Sequence, residues 1–362
     1  MQDKININEL TMEELEAYII ELGEKKFHAK QIYKWIHRMG VLSYDEMTDI
    51  SKSLRDKLRE KTYILNMEVL ECQTSQKDGT KKFLIRLPDD NAIESVLMHY
   101  HHGNTICVST QVGCKMGCKF CASTKEGYVR NLSASEIEGQ LLTVQRYTGE
   151  KISNVVYMGI GEPLDNYEGT VKSIRLINYP LGLNIGARHI SLSTCGIVPG
   201  IYRLAEENIQ ATLSISLHAT TDEGRRKIMP IATRYSIAEL LEACKAYMKK
   251  TGRRISFEYA LIEGENDSHE EALALAKLLR GMIAHVNLIP VNEIKNGAYR
   301  KAKESSIANF MNTLNACGVV TTVRRELGSD IDAACGQLRK KYIERLDPKA
   351  NLSNEKEEKK PS

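Results

Sequence analysis

Three cysteines crowd the segment GCKMGCKFCAS: Cys114, Cys118 and Cys121, with three and then two residues between them. Thiolates are soft ligands suited to zinc or iron. Structural zinc takes four closed ligands, and no second Cys or His pair stands at finger spacing. Three thiolates are also one short of a fully ligated 4Fe-4S cluster, which leaves one iron open to a small molecule. The iron–sulfur reading is the stronger; zinc, or a loop with no metal, is the alternative. The chain holds nine cysteines in 362 residues. Its start, MQDKININEL, has no hydrophobic stretch behind a basic end, so no secretory signal is visible. The expected compartment is the cytoplasm, where thiols stay reduced and cysteines read as metal or catalytic candidates.

The elements that must position this loop are legible in outline. Hydrophobic residues make up 42% and charged residues 27%, which is globular composition with a sizeable core. Length predicts two domains, or one large domain with an appendage. No apolar run approaches the ~18 residues of a membrane helix. Residues 1–62 read as helical, with apolar spacing through Leu10, Leu15, Tyr18 and Ile19, a second helix over 29–39 ending at Gly40, and a third through 50–58. Residues 63–99 read as a hairpin and linker, with KKFLIRL and AIESVLM joined by the turn residues 88–91. Strand-like runs then begin at 105, 154, 189, 211, 254, 285 and 319, with helices between, for example over 135–148, 236–250, 269–281 and 304–316. Ser133 and Glu136 form a capping-box signature. This α/β rhythm over 100–345 predicts a β/α barrel or an open doubly wound sheet. The cysteine loop follows the first of these strands, at the end where such folds build active sites. The polar tail 346–362 reads as disordered.

The stretches CVSTQVGCKMGCKFCAST, MGIGEPLDN, GLNIGARHISLST, SISLHA, HVNLIPVN and DIDAACGQLR occur in that order, after an N-terminal KKFHAKQIYKWIH. Together they resemble the RlmN/Cfr family of radical S-adenosylmethionine RNA methyltransferases, over nearly the whole chain. The resemblance implies a partial (βα)6 barrel with a small N-terminal helical accessory domain and a β-hairpin linker. It implies a 4Fe-4S cluster on Cys114, Cys118 and Cys121, with S-adenosylmethionine on the open iron. It also assigns cofactor contacts to Gly161, Glu162, Ser193, Ser216, Leu217, His218 and Asn292. By themselves these residues say less. Gly159-Ile160-Gly161-Glu162-Pro163 is a tight turn, and a dinucleotide fingerprint fails because position 164 is Leu. A lone His218 is more often structural.

Cys335 alone would read as a small buried hydrophobe. The resemblance makes it the residue that accepts a methyl group and becomes S-methylcysteine, with Arg324 and Arg325 lowering its pKa if they fold nearby. It makes Cys107 a second catalytic cysteine, resolving the protein–RNA adduct through a transient disulfide with Cys335. Glu94, an acid inside an apolar strand, becomes the proton acceptor, and such a setting tends to raise a carboxyl pKa toward that of a general base. Carbon 2 of adenine is electron-poor and cannot attack a sulfonium, which is why radical chemistry is needed. The implied route uses two S-adenosylmethionine per turnover: one methylates Cys335, and the other supplies a radical that removes hydrogen from that methyl.

The global charge is only +3, so RNA contact must come from local patches. Candidates are Lys115, Lys119, Lys125 and Arg130; Arg225, Arg226 and Lys227; Arg339, Lys340 and Lys341; and an i, i+4 stripe of Lys26, Lys30, Lys34 and Arg38. Phe27, Tyr33 and Trp35 are expected to pack. The target base must be unstacked to reach a barrel mouth. The resemblance implies adenosines of 23S rRNA and of transfer RNA, 3′ of the anticodon, with a one-electron donor such as flavodoxin or ferredoxin. A monomer is expected, with no membrane partner. Cys121-Ala-Ser-Thr and Gly161-Glu-Pro resemble the RlmN branch, with carbon-8 methylation of the Cfr type as runner-up. A non-catalytic iron–sulfur or zinc RNA-binding protein is the alternative from another class. Cys72, Cys195, Cys244 and Cys317 read as core packing.

Overall fold

The apolar runs pair in strict chain order. The computed structural model describes residues 4–124, 127–290, 300–331 and 338–339. Within them a ten-stranded sheet runs β1 (Glu68–Thr74), β2 (Lys81–Arg86), β3 (Ala92–Tyr100), β4 (Gly103–Cys107), β5 (Asn154–Tyr157), β6 (Ile190–Thr194), β7 (Thr212–Ser216), β8 (Ile255–Leu261), β9 (Ala284–Pro290) and β10 (Val320–Val323), each strand beside its sequence neighbours. Strands β4 to β10 are all parallel, while β1 to β4 are antiparallel. The fold is therefore α/β, an open parallel barrel segment extended at one edge. The hairpin is not a separate linker: β3 pairs directly with β4, Val96 opposite Cys107. Strand β1 was not legible in the sequence, because its alternation is half-buried on both faces.

Before the sheet come α1 (Met12–Glu21), α2 (Phe27–Lys34) and α3 (Lys52–Lys61). Crossover helices are α4 (Ala134–Thr148), α5 (Tyr167–Asn178), α6 (Val198–Glu206), α7 (Asp222–Ile228), α8 (Ile237–Thr251), α9 (His269–Leu278) and α10 (Glu304–Ala316). The capping box at Ser133 and Glu136 is present. One large core fills the space between sheet and helices. The N-terminal helices have their own core, which reaches Ala134 and Leu176 on α4 and α5. None of the described helices is long and apolar enough to cross a membrane.

The N-terminal unit grips α4 in two ways. The Glu9 carboxylate accepts from the amides of Ala134 (3.2 Å) and Ser135 (2.8 Å), satisfying free donors at the positive end of that helix. Beyond α2 the chain widens into a π turn over Trp35–Met39 and stops on Gly40 in the left-handed region. That turn places His37 Nδ1 at 2.7 Å from Glu138 Oε2 on α4, with both side chains out of water. Deleting one partner of such a pair strands the other in a dry interior. We expect His37→Ala to lower unfolding free energy by roughly 3 kcal/mol, and a paired His37→Phe, Glu138→Leu variant to lose less. Urea unfolding measures this, and an H37A protein as stable as the parent would contradict it.

The sequence expectations for RNA contact divide. Lys26, Lys30, Lys34 and Arg38 do form an exposed stripe, although Lys26 also pairs with Glu16 at 2.9 Å. Phe27 does not pack: it is 53% exposed. Arg225 and Arg339 are buried and unavailable to a phosphate. Arg130 is engaged by Asp89 and Glu136, and Lys115 by Asp165. Lys125, Lys340, Lys341 and the tail 346–362 lie outside the described residues.

Candidate active site

Parallel strands end on one side of a sheet, and there the loops converge. Cys107 closes β4. The chain then pairs Gln111–Gly113 with Tyr128–Asn131 in a small antiparallel ribbon, so the cysteine loop is tied at its base. The loop is seated on the residues that follow β7: Lys119 N–H donates to the Ile228 carbonyl at 2.9 Å. Inside it, the Thr124 hydroxyl donates to the carbonyls of Cys121 (2.9 Å) and Cys118 (3.3 Å).

Cys114, Cys118 and Cys121 open on a cavity of about 550 Å³, within the ~300–1,000 Å³ range of small-molecule sites. Cys107, Gly161, Glu162, Ser193, Ser216 and His218 line the same cavity. The fold thus gathers residues from four strand ends, those of β4 to β7, around one space. Leu217 is turned into the core, its amide on the Glu258 carbonyl. Asn292 and Cys335 lie outside the described residues; Arg324 and Arg325, upstream of Cys335, line the cavity.

Each group owes its character to its surroundings. Gly161 has φ +109°, and a Cβ there would meet Gln111 N and Thr110 Oγ1 at 2.7 Å, so only glycine brings this turn against the end of β4. The Glu162 carboxylate is buried and accepts from the Leu164 amide (3.0 Å) and the Cys195 amide (2.8 Å). It ties the turn after β5 to the end of β6, and burial raises its pKa. His218 holds a left-handed backbone, φ +58°, a strained state for a residue with a side chain. Its Nδ1 accepts from the Ala260 amide at 2.9 Å, and Phe120 of the cysteine loop meets its ring edge-on. Burial, then the Arg225 charge, pushes its pKa down to about 3, so the ring is neutral and carries its proton on Nε2.

Glu94 departs from its expected setting. It is buried but not among apolar groups alone: Lys82 Nζ stands at 3.0 Å, and the Arg339 amide donates to it at 2.7 Å. It does not line the cavity, although Val96 and Met98 on the same face of β3 do. Two buried groups escaped the sequence reading. Glu258 on β8 lines the cavity and accepts from Asn287 Nδ2 at 2.7 Å, and burial raises its pKa. The signal was there, since FEYALI places an acid in an apolar strand just as AIESVLM does. Arg225, in the sequence one of three adjacent cations, is fully buried.

The family comparisons agree with this geometry. Residues 108–276 match the model of the radical SAM superfamily, and residues 5–64 match that of the ribosomal RNA large subunit methyltransferase N-terminal domain. A radical SAM methyltransferase from Sphaerobacter thermophilus superposes with a TM-score of 0.87 at 42% identity, covering 92% of this chain and 98% of that one. Fold and cysteine loop together define a radical S-adenosylmethionine methyltransferase. A probable dual-specificity RNA methyltransferase RlmN from Clostridium perfringens is 56% identical over 93% of this chain and 97% of its own, and one from Alkaliphilus oremlandii is 54% identical over 94% and 99%. The chain belongs to the RlmN family of radical SAM RNA methyltransferases, enzymes that work with a 4Fe-4S cluster and S-adenosylmethionine.

The described residues fit those groups. One metal ion needs donors converging at about 2.0–2.3 Å, and among the described residues no three His, Cys, Asp or Glu side chains do so. Three thiolates that each take a different iron have no need to converge. Burial, followed by repulsion from Cys121, pushes Cys114 up to about 11 and Cys118 up to about 12 in the bare protein. Such a crowd of thiols becomes thiolate against a cationic core. The glycine turn and the serine hydroxyls at the ends of β6 and β7 suit a polar adenosyl and methionyl ligand.

Proposed function

We propose that this enzyme methylates carbon 2 of adenosine through an S-methylcysteine at Cys335. The observation that supports it most is that Cys107 faces the same cavity as the thiol trio, which suits a resolving cysteine beside the chemistry. When bound, the cluster and S-adenosylmethionine supply a one-electron cleavage that yields a hydrogen-abstracting radical. Cys114, Cys118 and Cys121 hold the cluster. Gly161, Glu162, Ser193, Ser216, His218 and Asn292 hold the cofactor, and Leu217 spaces two of them. The Cys335 thiolate takes a methyl group by displacement, with S-adenosylhomocysteine as leaving group; after one hydrogen atom passes to the cofactor-derived radical, the Cys335 methylene bonds to the adenine carbon and the odd electron of that adduct would return to the cluster. Glu94, paired with Lys82 behind Val96 on β3, receives the proton from that carbon through a relay, since it does not itself line the cavity. The Cys107 thiolate then attacks the Cys335 sulfur, so an S–S bond forms as the S–C bond breaks, and the released CH2 carbon takes up a proton to become the methyl on the base. Burial of Cys107 at the end of β4 keeps water from this step.

The substrates in this reading are an adenosine at the peptidyl-transferase centre of 23S rRNA and the adenosine 3′ of certain anticodons. The exposed stripe on α2 and its π turn supplies backbone contact. The helical unit 1–62 is the accessory domain, 63–99 the hairpin, and 100–345 the catalytic unit. A flavodoxin or ferredoxin supplies electrons to a cytoplasmic monomer. Mass spectrometry of nuclease digests checks the outcome. With both RNAs and a reductant, 2-methyladenosine should appear in each; 8-methyladenosine instead would overturn the carbon assignment, and product in one RNA alone would overturn the dual substrate range.

A further inference from the structure

A fully buried arginine needs an anion. Arg225 on α7 is 0% exposed. Its guanidinium donates to three carbonyls: Cys195 at 2.6 Å and Ser216 at 3.1 Å through Nη2, and Leu217 at 3.3 Å through Nε. Its Nη1 has no hydrogen-bond partner. Among the described residues no carboxylate forms an ion pair with it. Carbonyl oxygens satisfy donors but do not neutralise charge, and an uncompensated cation in a dry interior costs several kcal/mol.

The groups near enough to oppose its charge are the Asp222 carboxylate and three thiols, Cys195, Cys118 and Cys244, of which Cys118 becomes a thiolate when it ligates iron. Cys118 packs in the small apolar cluster with Cys195, Ile228 and Met229, directly beside α7. The loop that carries it is bonded to the Ile228 carbonyl and rests on Pro230 at Gly117. Other cations near that loop are wet: Lys115 and Lys119 are exposed, as are Arg324 and Arg325 across the cavity. A cluster core of 2+ with three thiolates carries a net charge of 1−, and one electron makes it 2−.

We propose that Arg225 is the buried counter-charge of the iron–sulfur centre and raises its reduction potential. It rests on the cluster reading given above. Arg225 is buried and does not line the cavity; it is a positioning residue that acts through the cluster. A nearby positive charge stabilises the 2− state more than the 1− state, and burial prevents salt from screening it. The three carbonyl bonds have a second effect, holding the ends of β6 and β7 together. That role is one a neutral amide could share, so charge and shape are separable.

The test uses the full chain, reconstituted anaerobically with iron and sulfide. Potentiometric titration with dithionite, read by the electron paramagnetic resonance of the reduced cluster, gives the one-electron midpoint. Arg225→Gln should bind wild-type iron and sulfide but shift the reduction equilibrium at least tenfold toward the oxidised form, 59 mV for one electron. Arg225→Lys should stay within threefold of wild type. As a guard against loss of fold in Arg225→Gln, citrulline installed at position 225 serves as a neutral isostere, and the same tenfold shift is expected. Wild-type midpoints in the neutral variants, or equal displacement by the Lys and neutral variants, would reduce Arg225 to a clamp and overturn the proposal. A wild-type protein that binds no cluster would instead sink the underlying reading.

Discussion

Cys118→Ala leaves a folded protein that retains less than roughly a tenth of the iron and sulfide of the parent and forms 5′-deoxyadenosine at least about 1,000-fold more slowly. This exceeds the 10- to 100-fold losses typical when only the surroundings of a metal site change. The reason is arithmetic of ligands: with three thiolates and one open corner, loss of one leaves two, too few to hold the cluster against solvent. Cys114→Ala and Cys121→Ala should behave alike. The fold should persist, because the loop is anchored by its backbone, through the Gln111–Gly113 ribbon and the Lys119 amide. Iron and sulfide assays with far-ultraviolet circular dichroism check both halves of the expectation. An alanine variant with full iron content and turnover would end the iron–sulfur interpretation.

The second large effect separates the two outlying cysteines by the point at which each fails. Cys335→Ala removes the methyl acceptor, so RNA methylation should fall below detection, on the order of 10⁴-fold or more, the scale expected when a covalent nucleophile is deleted. Cleavage of S-adenosylmethionine should survive, since the cluster residues are untouched. Cys107→Ala should instead let the methylene join the base and then stall. Protein and RNA should remain linked through the Cys335 sulfur, as a band that survives denaturing gels and collapses on nuclease treatment. A freely turning over Cys107→Ala enzyme would remove the disulfide step. A covalent adduct in the Cys335→Ala protein would place the acceptor elsewhere.

Local chemistry was readable because it is local. The spacing of Cys114, Cys118 and Cys121, the Ser133–Glu136 box, and the strand–helix rhythm are all set by residues a few positions apart, and the structure has them where the pattern put them. The joining of hairpin to barrel depended on the Val96–Cys107 register, a pairing that adjacency in sequence does not disclose. Glu94 looked like a solitary acid because its partner, Lys82, lies on the neighbouring strand. Arg225 looked like one of three basic surface residues, Arg225-Arg226-Lys227, yet one helical turn sends adjacent side chains to different faces. Arg226 reaches solvent and Glu223, while Arg225 enters the core behind the thiols. Residue types and spacings alone determined that thiols would gather after the first parallel strand and that a β/α framework would carry them. Tertiary structure alone decided which charges face water and which are enclosed, because burial depends on what packs from distant parts of the chain.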